Sequence, residues 1–122
     1  MKASLLSLAV GTVIAAGARG AVAAGDAKAG AALFEDRCAI CHVAKGGGQG
    51  PSLVGVVGRK AASVKGFGYS SALKAANLSW TAAKLDVFLT NPGKAVPGTA
   101  MPIRVSDATQ RADLIAYFAK HK

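Results

Sequence analysis

Acidic residues are scarce in this chain. Six Asp and Glu stand against fifteen Lys and Arg, a formal charge of +9 over 122 residues. Such a balance favours acidic partners. The basic residues are spread along the sequence rather than gathered in a stripe, which argues against a nucleic-acid surface. Cysteine and histidine are limited to two each. A four-ligand zinc site would need Cys38, Cys41, His42 and His121 together, and His42 directly follows Cys41, a poor start for a tetrahedron. No convincing strand is visible, so the βαβ setting of a thioredoxin-like C-x-x-C is missing. Internal repeats, low-complexity tracts and signs of a second domain are also lacking, and the length suits one domain.

Long hydrophobic runs are lacking as well. The one uncharged apolar stretch, Ala3 to Ala18, falls short of the ~20 residues a membrane-spanning helix needs. It follows Met1-Lys2 and precedes Ala21-Val22-Ala23-Ala24, whose small residues suit a signal-peptidase site. Residues 1–24 therefore read as a cleaved export signal, with cleavage after Ala24 or one residue earlier, and 25–122 as the mature domain. An uncleaved anchor is the rival reading. This segment also inflates the apolar fraction of 52%.

Both cysteines lie in Cys38-Ala39-Ile40-Cys41-His42. C-x-x-C-H is the spacing for covalent haem c attachment, in which each thiol adds to one vinyl group and the next residue, His42, becomes an axial iron ligand. An ordinary disulfide is the alternative for an exported cysteine pair. The glycine-rich loop that follows, Val43 to Gly50, lacks the G-x-x-x-x-G-K-[ST] pattern of a phosphate cradle and has no strand before it. It reads as a connector ending at Pro51, whose carbonyl is free to accept from Nδ1 of His42 and fix the ring.

Helices are expected over Asp26–Arg37, capped by Asp26, over Ser70–Ala76, capped by Ser70 or Ser71, over Thr81–Thr90, and over Asp107–Lys120, capped by Asp107 or Ser106. Leu85, Phe88 and Leu89 are spaced to face inward, as are Leu114, Ile115, Tyr117 and Phe118. The last helix should cross the first near Gly30 and Phe34. Leu53 to Gly68 reads as irregular. Arg59, Tyr69 and Trp80 each join an extended or flat body to a polar tip, which suits haem propionates as well as ordinary packing. Asn91-Pro92 should stop the third helix. A proline-stiffened loop then runs to Pro102 and holds Met101, the one methionine besides Met1. A thioether is a soft ligand for haem iron and raises its potential, whereas core filling is the usual duty of a methionine. His121 reads as a surface histidine.

Together these landmarks resemble the class I c-type cytochromes, closest in pattern to mitochondrial cytochrome c and its short bacterial relatives. The stretches that carry the resemblance are Gly30 and Phe34, the Cys38–His42 motif, Gly50-Pro51-x-Leu53, Gly58-Arg59-Lys60, Gly66-Phe67-x-Tyr69-Ser70, Trp80, Asn91-Pro92, Pro97-Gly98-Thr99-x-Met101 and Asp113-Leu114-Ile115-Ala116-Tyr117. The resemblance implies one all-α domain, the cytochrome c fold of four to five helices around a single covalent haem c. It implies thioether links at Cys38 and Cys41, axial ligands at His42 and Met101, Pro51 as the acceptor for His42, propionate contacts from Arg59, Tyr69 and Trp80, and Thr99 fixing the methionine loop. The chain departs from the mitochondrial pattern at Phe88, where a tyrosine is usual, at Ile103, where phenylalanine is common, in a shorter loop after His42, and at Gly93 and Ala100, which stand where lysines ring the haem edge.

With both axial positions filled, one-electron transfer is the chemistry left. The expectation is a periplasmic carrier, not an enzyme, moving electrons between a respiratory or dehydrogenase donor and a terminal acceptor. It would be a monomer without stable membrane insertion after cleavage, and would dock on redox proteins with acidic surfaces. The alternative is a haem c subunit held permanently by a periplasmic oxidoreductase. More distant readings are a five-coordinate enzyme or gas sensor, with Met101 off the iron, and a thiol–disulfide oxidoreductase.

Overall fold

The computed structural model describes residues 24–122. The expected export signal lies outside these residues, apart from Ala24. The described chain forms five helices: α1 (Ala27–Arg37), α2 (Ser71–Ala76), α3 (Ala82–Thr90), α4 (Pro92–Ala95) and α5 (Ala108–Lys120). Among the described residues the only β-type pairing is a single antiparallel bridge between Lys60 and Ser79.

Side-chain oxygens set where the helices start, because the first N–H groups of a helix lack partners within it. Asp26 accepts from the N–H groups of Lys28 and Ala29 at 2.9 and 3.3 Å. Ser70 accepts from Leu73 at 3.1 Å, Thr81 from Lys84 at 3.2 Å, and Asp107 from Gln110 at 2.9 Å. Of the alternatives left open by the sequence, Ser70 and Asp107 are therefore the caps. Asn91-Pro92 ends α3 as expected, but the loop after it begins with a turn of helix. Asn91 is extended, its carboxamide oxygen accepts from Lys94 N–H at 3.2 Å, and Pro92 occupies the first turn of α4. Proline is tolerated there because its missing N–H would have no intrahelical acceptor.

The α1–α5 pair is the most extensive helix contact. Gly30 makes it close: a Cβ at this position would fall on the carbonyl oxygen of Asp113 and within 2.9 Å of the Tyr117 Cβ. Phe34, one turn later, meets the Tyr117 ring at a tilt, 5.3 Å between centroids, and lies edge-on at 6.0 Å to Phe118. The backbone N–H of Asp26 donates to the Asp113 carboxylate at 2.7 Å, tying the entry of α1 to the same helix. Leu114 is fully enclosed, with Ile115 and Phe118 nearly so. Burying each such side chain contributes about 1.5–3 kcal/mol.

The third helix turns Leu85, Phe88 and Leu89 inward, the spacing of one helical face. The Phe88 ring meets Trp80 at 4.9 Å. Asp86 of α3 is paired with Arg111 of α5 at 2.7 Å. Leu89 also accepts from Val105 N–H at 2.8 Å, which brings the segment after Met101 against the end of α3.

Candidate functional site

The Cys38–His42 motif continues α1 as a series of tight turns. Cys38 and Ala39 N–H both donate to the Phe34 carbonyl at 2.8 Å, and Cys41 and His42 N–H donate to that of Cys38 at 3.1 and 2.9 Å. This winding carries both cysteines onto one cavity. Burial pushes the Cys38 thiol up from its ordinary pKa; the Arg37 charge opposes that and Cys41 adds to it. The loop after His42 then folds back, and Gly50 N–H donates to the Cys41 carbonyl at 3.0 Å. Gly50 lies so close beneath the imidazole that a Cβ there would come within 2.5 Å of Cε1 and 2.7 Å of Nδ1. The next residue supplies the ring's partner: His42 Nδ1 is 2.7 Å from the carbonyl oxygen of Pro51. A proton on Nδ1 satisfies that oxygen and leaves Nε2 as the basic nitrogen.

All nine candidate residues line a single cavity of about 360 Å3: Cys38, Cys41, His42, Pro51, Arg59, Tyr69, Trp80, Thr99 and Met101. Its volume lies within the range of cofactor and ligand sites. The walls are mainly apolar; the sequence had marked Leu85, Leu89 and Phe118 only as core, and Phe88 as core and as a departure from the mitochondrial pattern. Each of these faces the cavity as well as its neighbours. Met101 is half-buried on the loop after α4. A bond from Thr99 N–H to the Val96 carbonyl, 3.0 Å, closes a turn over Pro97-Gly98, and the Met101 N–H points to Thr99 Oγ1 at 3.4 Å.

The polar tips differ in what they have left to offer. Arg59 donates from Nη1 to the Val54 carbonyl at 2.9 Å and from Nη2 to that of Ser52 at 3.0 Å, which pins the chain just after Pro51. Its Nε is buried and has no partner. The Tyr69 hydroxyl accepts from Val64 N–H at 3.0 Å, so its own proton remains to be donated. Trp80 is buried, and its backbone N–H is spent on the Arg59 carbonyl at 2.8 Å.

These features fit a covalent haem c. The cavity has two thiols at one edge, an imidazole with a fixed ring plane, apolar walls for a macrocycle, and a buried guanidinium N–H suited to an anion. Among the described residues no group of three or more His, Cys, Asp and Glu is placed to hold a bare metal ion, and no helix is long and apolar enough to cross a membrane.

Sequence reasoning gave no role to Arg37 or Gln49, both of which line the cavity. Nothing local marks Arg37, because its partner, the Arg104 carbonyl at 2.9 Å, is distant in sequence.

Comparison with known proteins agrees with this geometry. The cytochrome c family model matches residues 27–122. A cytochrome c of Gibberella zeae is 47% identical over 100 residues, covering 79% of this chain and 94% of that protein. The cytochrome c-type cyt cy of Rhodobacter capsulatus is 45% identical over 95 residues, covering 76% of this chain; the match spans 48% of that protein, about half its length. Among solved structures, cytochrome cH from Methylobacterium extorquens superposes with a TM-score of 0.74 at 43% identity, covering 78% of this chain and 98% of that one.

Proposed function

The chain belongs to the cytochrome c family and is a monohaem c-type electron carrier rather than an enzyme, and from that premise we propose that it works in the periplasm through a low-spin haem ligated by His42 and Met101. Bound haem c supplies a one-electron couple between ferric and ferrous iron. Cys38 and Cys41 hold it by thioether links. His42 is oriented by Pro51 to offer Nε2, and Met101 is offered by the turn that Thr99 closes. Arg59, Tyr69 and Trp80 take the propionates, with the spare Arg59 Nε and the Tyr69 hydroxyl as donors.

The observation that carries this reading is the 2.7 Å contact of His42 Nδ1 with Pro51 in a cavity shared with Met101. The contact supports an imidazole with its ring plane held, and a soft thioether lines the same cavity. With both in place the iron has no open position for substrate, which restricts the site to electron transfer. The apolar walls exclude water, so little solvent has to rearrange when the charge changes.

Residues 1–24 serve as a cleaved export signal, and the mature protein is a monomer that docks on acidic surfaces of its donor and acceptor. Support comes from the composition of that segment and from the excess of Lys and Arg over Asp and Glu.

Protein purified from native periplasm tests the proposal. It should begin near Gly25, run as a monomer on gel filtration, and show a low-spin c-type spectrum. A methionine–iron charge-transfer band should be present and should vanish in Met101→Ala. High-spin iron in the unaltered protein would falsify the ligand assignment. Elution with a larger oxidoreductase would favour a permanent haem subunit instead.

A further inference from the structure

The segment that leaves Met101 is fastened by arginines from two different helices. Arg37, the last residue of α1, donates from Nη2 to the Arg104 carbonyl at 2.9 Å. Arg111 of α5 donates from Nη1 to the carbonyls of Val105 and Ser106 at 3.0 and 2.9 Å, while its Nε is paired with Asp86 at 2.7 Å. Three consecutive carbonyls are thus each held by a guanidinium, and the Val105 N–H is spent on Leu89 at 2.8 Å.

The two clamps have different reach. Arg111 joins the segment to α3 and α5, inside the fold. Arg37 joins it to the other side of the haem cavity, because the residue after Arg37 is Cys38. Only Pro102 and Ile103 separate Met101 from the clamped carbonyl. Proline fixes its own φ and restricts the residue before it, so few soft dihedrals lie between Arg104 and the Met101 side chain. A restraint on the Arg104 carbonyl is therefore also a restraint on Met101.

The geometry points to Arg37 as a positioning residue for Met101: its bond to the Arg104 carbonyl spans the thioether side and the methionine side of the cavity and sets how readily Met101 leaves the iron. This rests on the reading of Met101 as axial ligand. Arg37 lines the cavity but is exposed, and it is not one of the side chains packed in the buried core. Its removal should free the loop without disturbing the packing of that core. The bond is charge-assisted, and exposure to solvent moderates its strength.

The ferric holoprotein tests this with imidazole, which must displace Met101 to reach the iron and is followed in the visible spectrum. R37A should bind imidazole about 3–10-fold more tightly than the unaltered protein, the size expected for losing one exposed charge-assisted hydrogen bond. R37K, which keeps a donor, should fall between. The urea midpoint of R37A should stay close to that of the unaltered protein. Equal imidazole affinity in R37A and the unaltered protein overturns the inference. So does a tightening matched by an equal loss of global stability, since Arg37 would then be a general structural residue. Absence of the methionine–iron band before any imidazole is added removes the ligand assignment itself, and the role of Arg37 with it.

Discussion

His42 and Pro51 meet at 2.7 Å, imidazole Nδ1 to carbonyl oxygen, and the residue between loop and proline, Gly50, lies directly against the same ring. The two contacts work as a pair. The carbonyl fixes the rotation of the imidazole and its tautomer, while the bare Cα of Gly50 leaves the ring room to adopt that rotation. A methyl group at residue 50 would come within 2.5 Å of Cε1, so either the ring or the loop has to move.

Gly50→Ala should therefore damage the site more than the fold. Overpacking of this kind costs about 1–3 kcal/mol, and for a domain of this size each kcal/mol lowers Tm by about 4–8 °C. The methionine–iron band should weaken or shift in the same variant, because a rotated imidazole changes the iron's ligand field. Thermal melts and visible spectra of the purified holoprotein check both, and a variant with unaltered melting and spectrum would refute the pairing.

Gly30→Ala tests the helix crossing. Alanine is the better helix former by about 1 kcal/mol, so α1 alone would gain. Against that, the new methyl group would fall on the Asp113 carbonyl, and the backbones of α1 and α5 must separate. The packing loss should win, lowering stability by about 1–3 kcal/mol. Urea unfolding of the holoprotein measures the balance, and a stabilised variant would show that the two helices have slack at this point.

The reading of the sequence succeeded where the signal is local. Asp26, Ser70, Thr81 and Asp107 cap the helices at or beside the expected positions, because a cap is decided by a side chain and an N–H two or three residues away. The Cys38–His42 motif was equally legible, since its chemistry lies in spacing alone. Helix α4 was missed because Asn91-Pro92 carries two messages: it stops α3, and it also starts a new turn, with Asn91 as cap and Pro92 in the first turn. A stop is what proline usually signals, and four residues are too few to show a period. The Arg37 clamp and the spare Arg59 Nε were invisible for another reason. Both depend on carbonyls whose direction is set only by the folded loops, and a carbonyl has no letter in the sequence.

Asn91→Ala isolates that double role. The variant loses the carboxamide that accepts from Lys94 N–H at 3.2 Å, and loss of such a cap costs about 0.5–2 kcal/mol. Since α4 leads into the Pro97–Met101 turn, the variant should also bind imidazole more tightly at the ferric iron. Asn91→Ser, which keeps a capping oxygen, should recover most of the stability. Equal stability of all three proteins in urea would show that α4 is held by Pro92 and packing alone.

The proposed docking on acidic surfaces has a kinetic signature. Oppositely charged partners associate faster than neutral ones, and salt screens the attraction over a Debye length of ~10 Å at 0.1 M. The second-order rate of reduction by an acidic redox protein should fall as ionic strength rises, whereas reduction by a small neutral reagent should change little. Stopped-flow traces of the haem spectrum give both rates, and a salt-independent rate with the acidic protein would remove charge from the account of partner choice.

Ala62 carries backbone strain that can be relieved. Its φ is +57°, the left-handed region, which costs a residue with a Cβ about 1–2 kcal/mol. Glycine removes that cost but brings about 0.5–1 kcal/mol of extra chain entropy in the unfolded state, so Ala62→Gly should stabilise the protein by about 0.5–1 kcal/mol. The location gives the substitution a functional reading. Ala62 lies between Arg59 and Tyr69, both of which wall the haem cavity, and Val64 N–H donates to the Tyr69 hydroxyl at 3.0 Å. Strain inside this segment favours its opening, and opening would release both proposed propionate donors together. Hydrogen exchange should therefore slow in Ala62→Gly for amides of residues 60–69 more than for those of α1 and α5. Uniform slowing across the molecule would instead mean that the segment unfolds only with the whole domain.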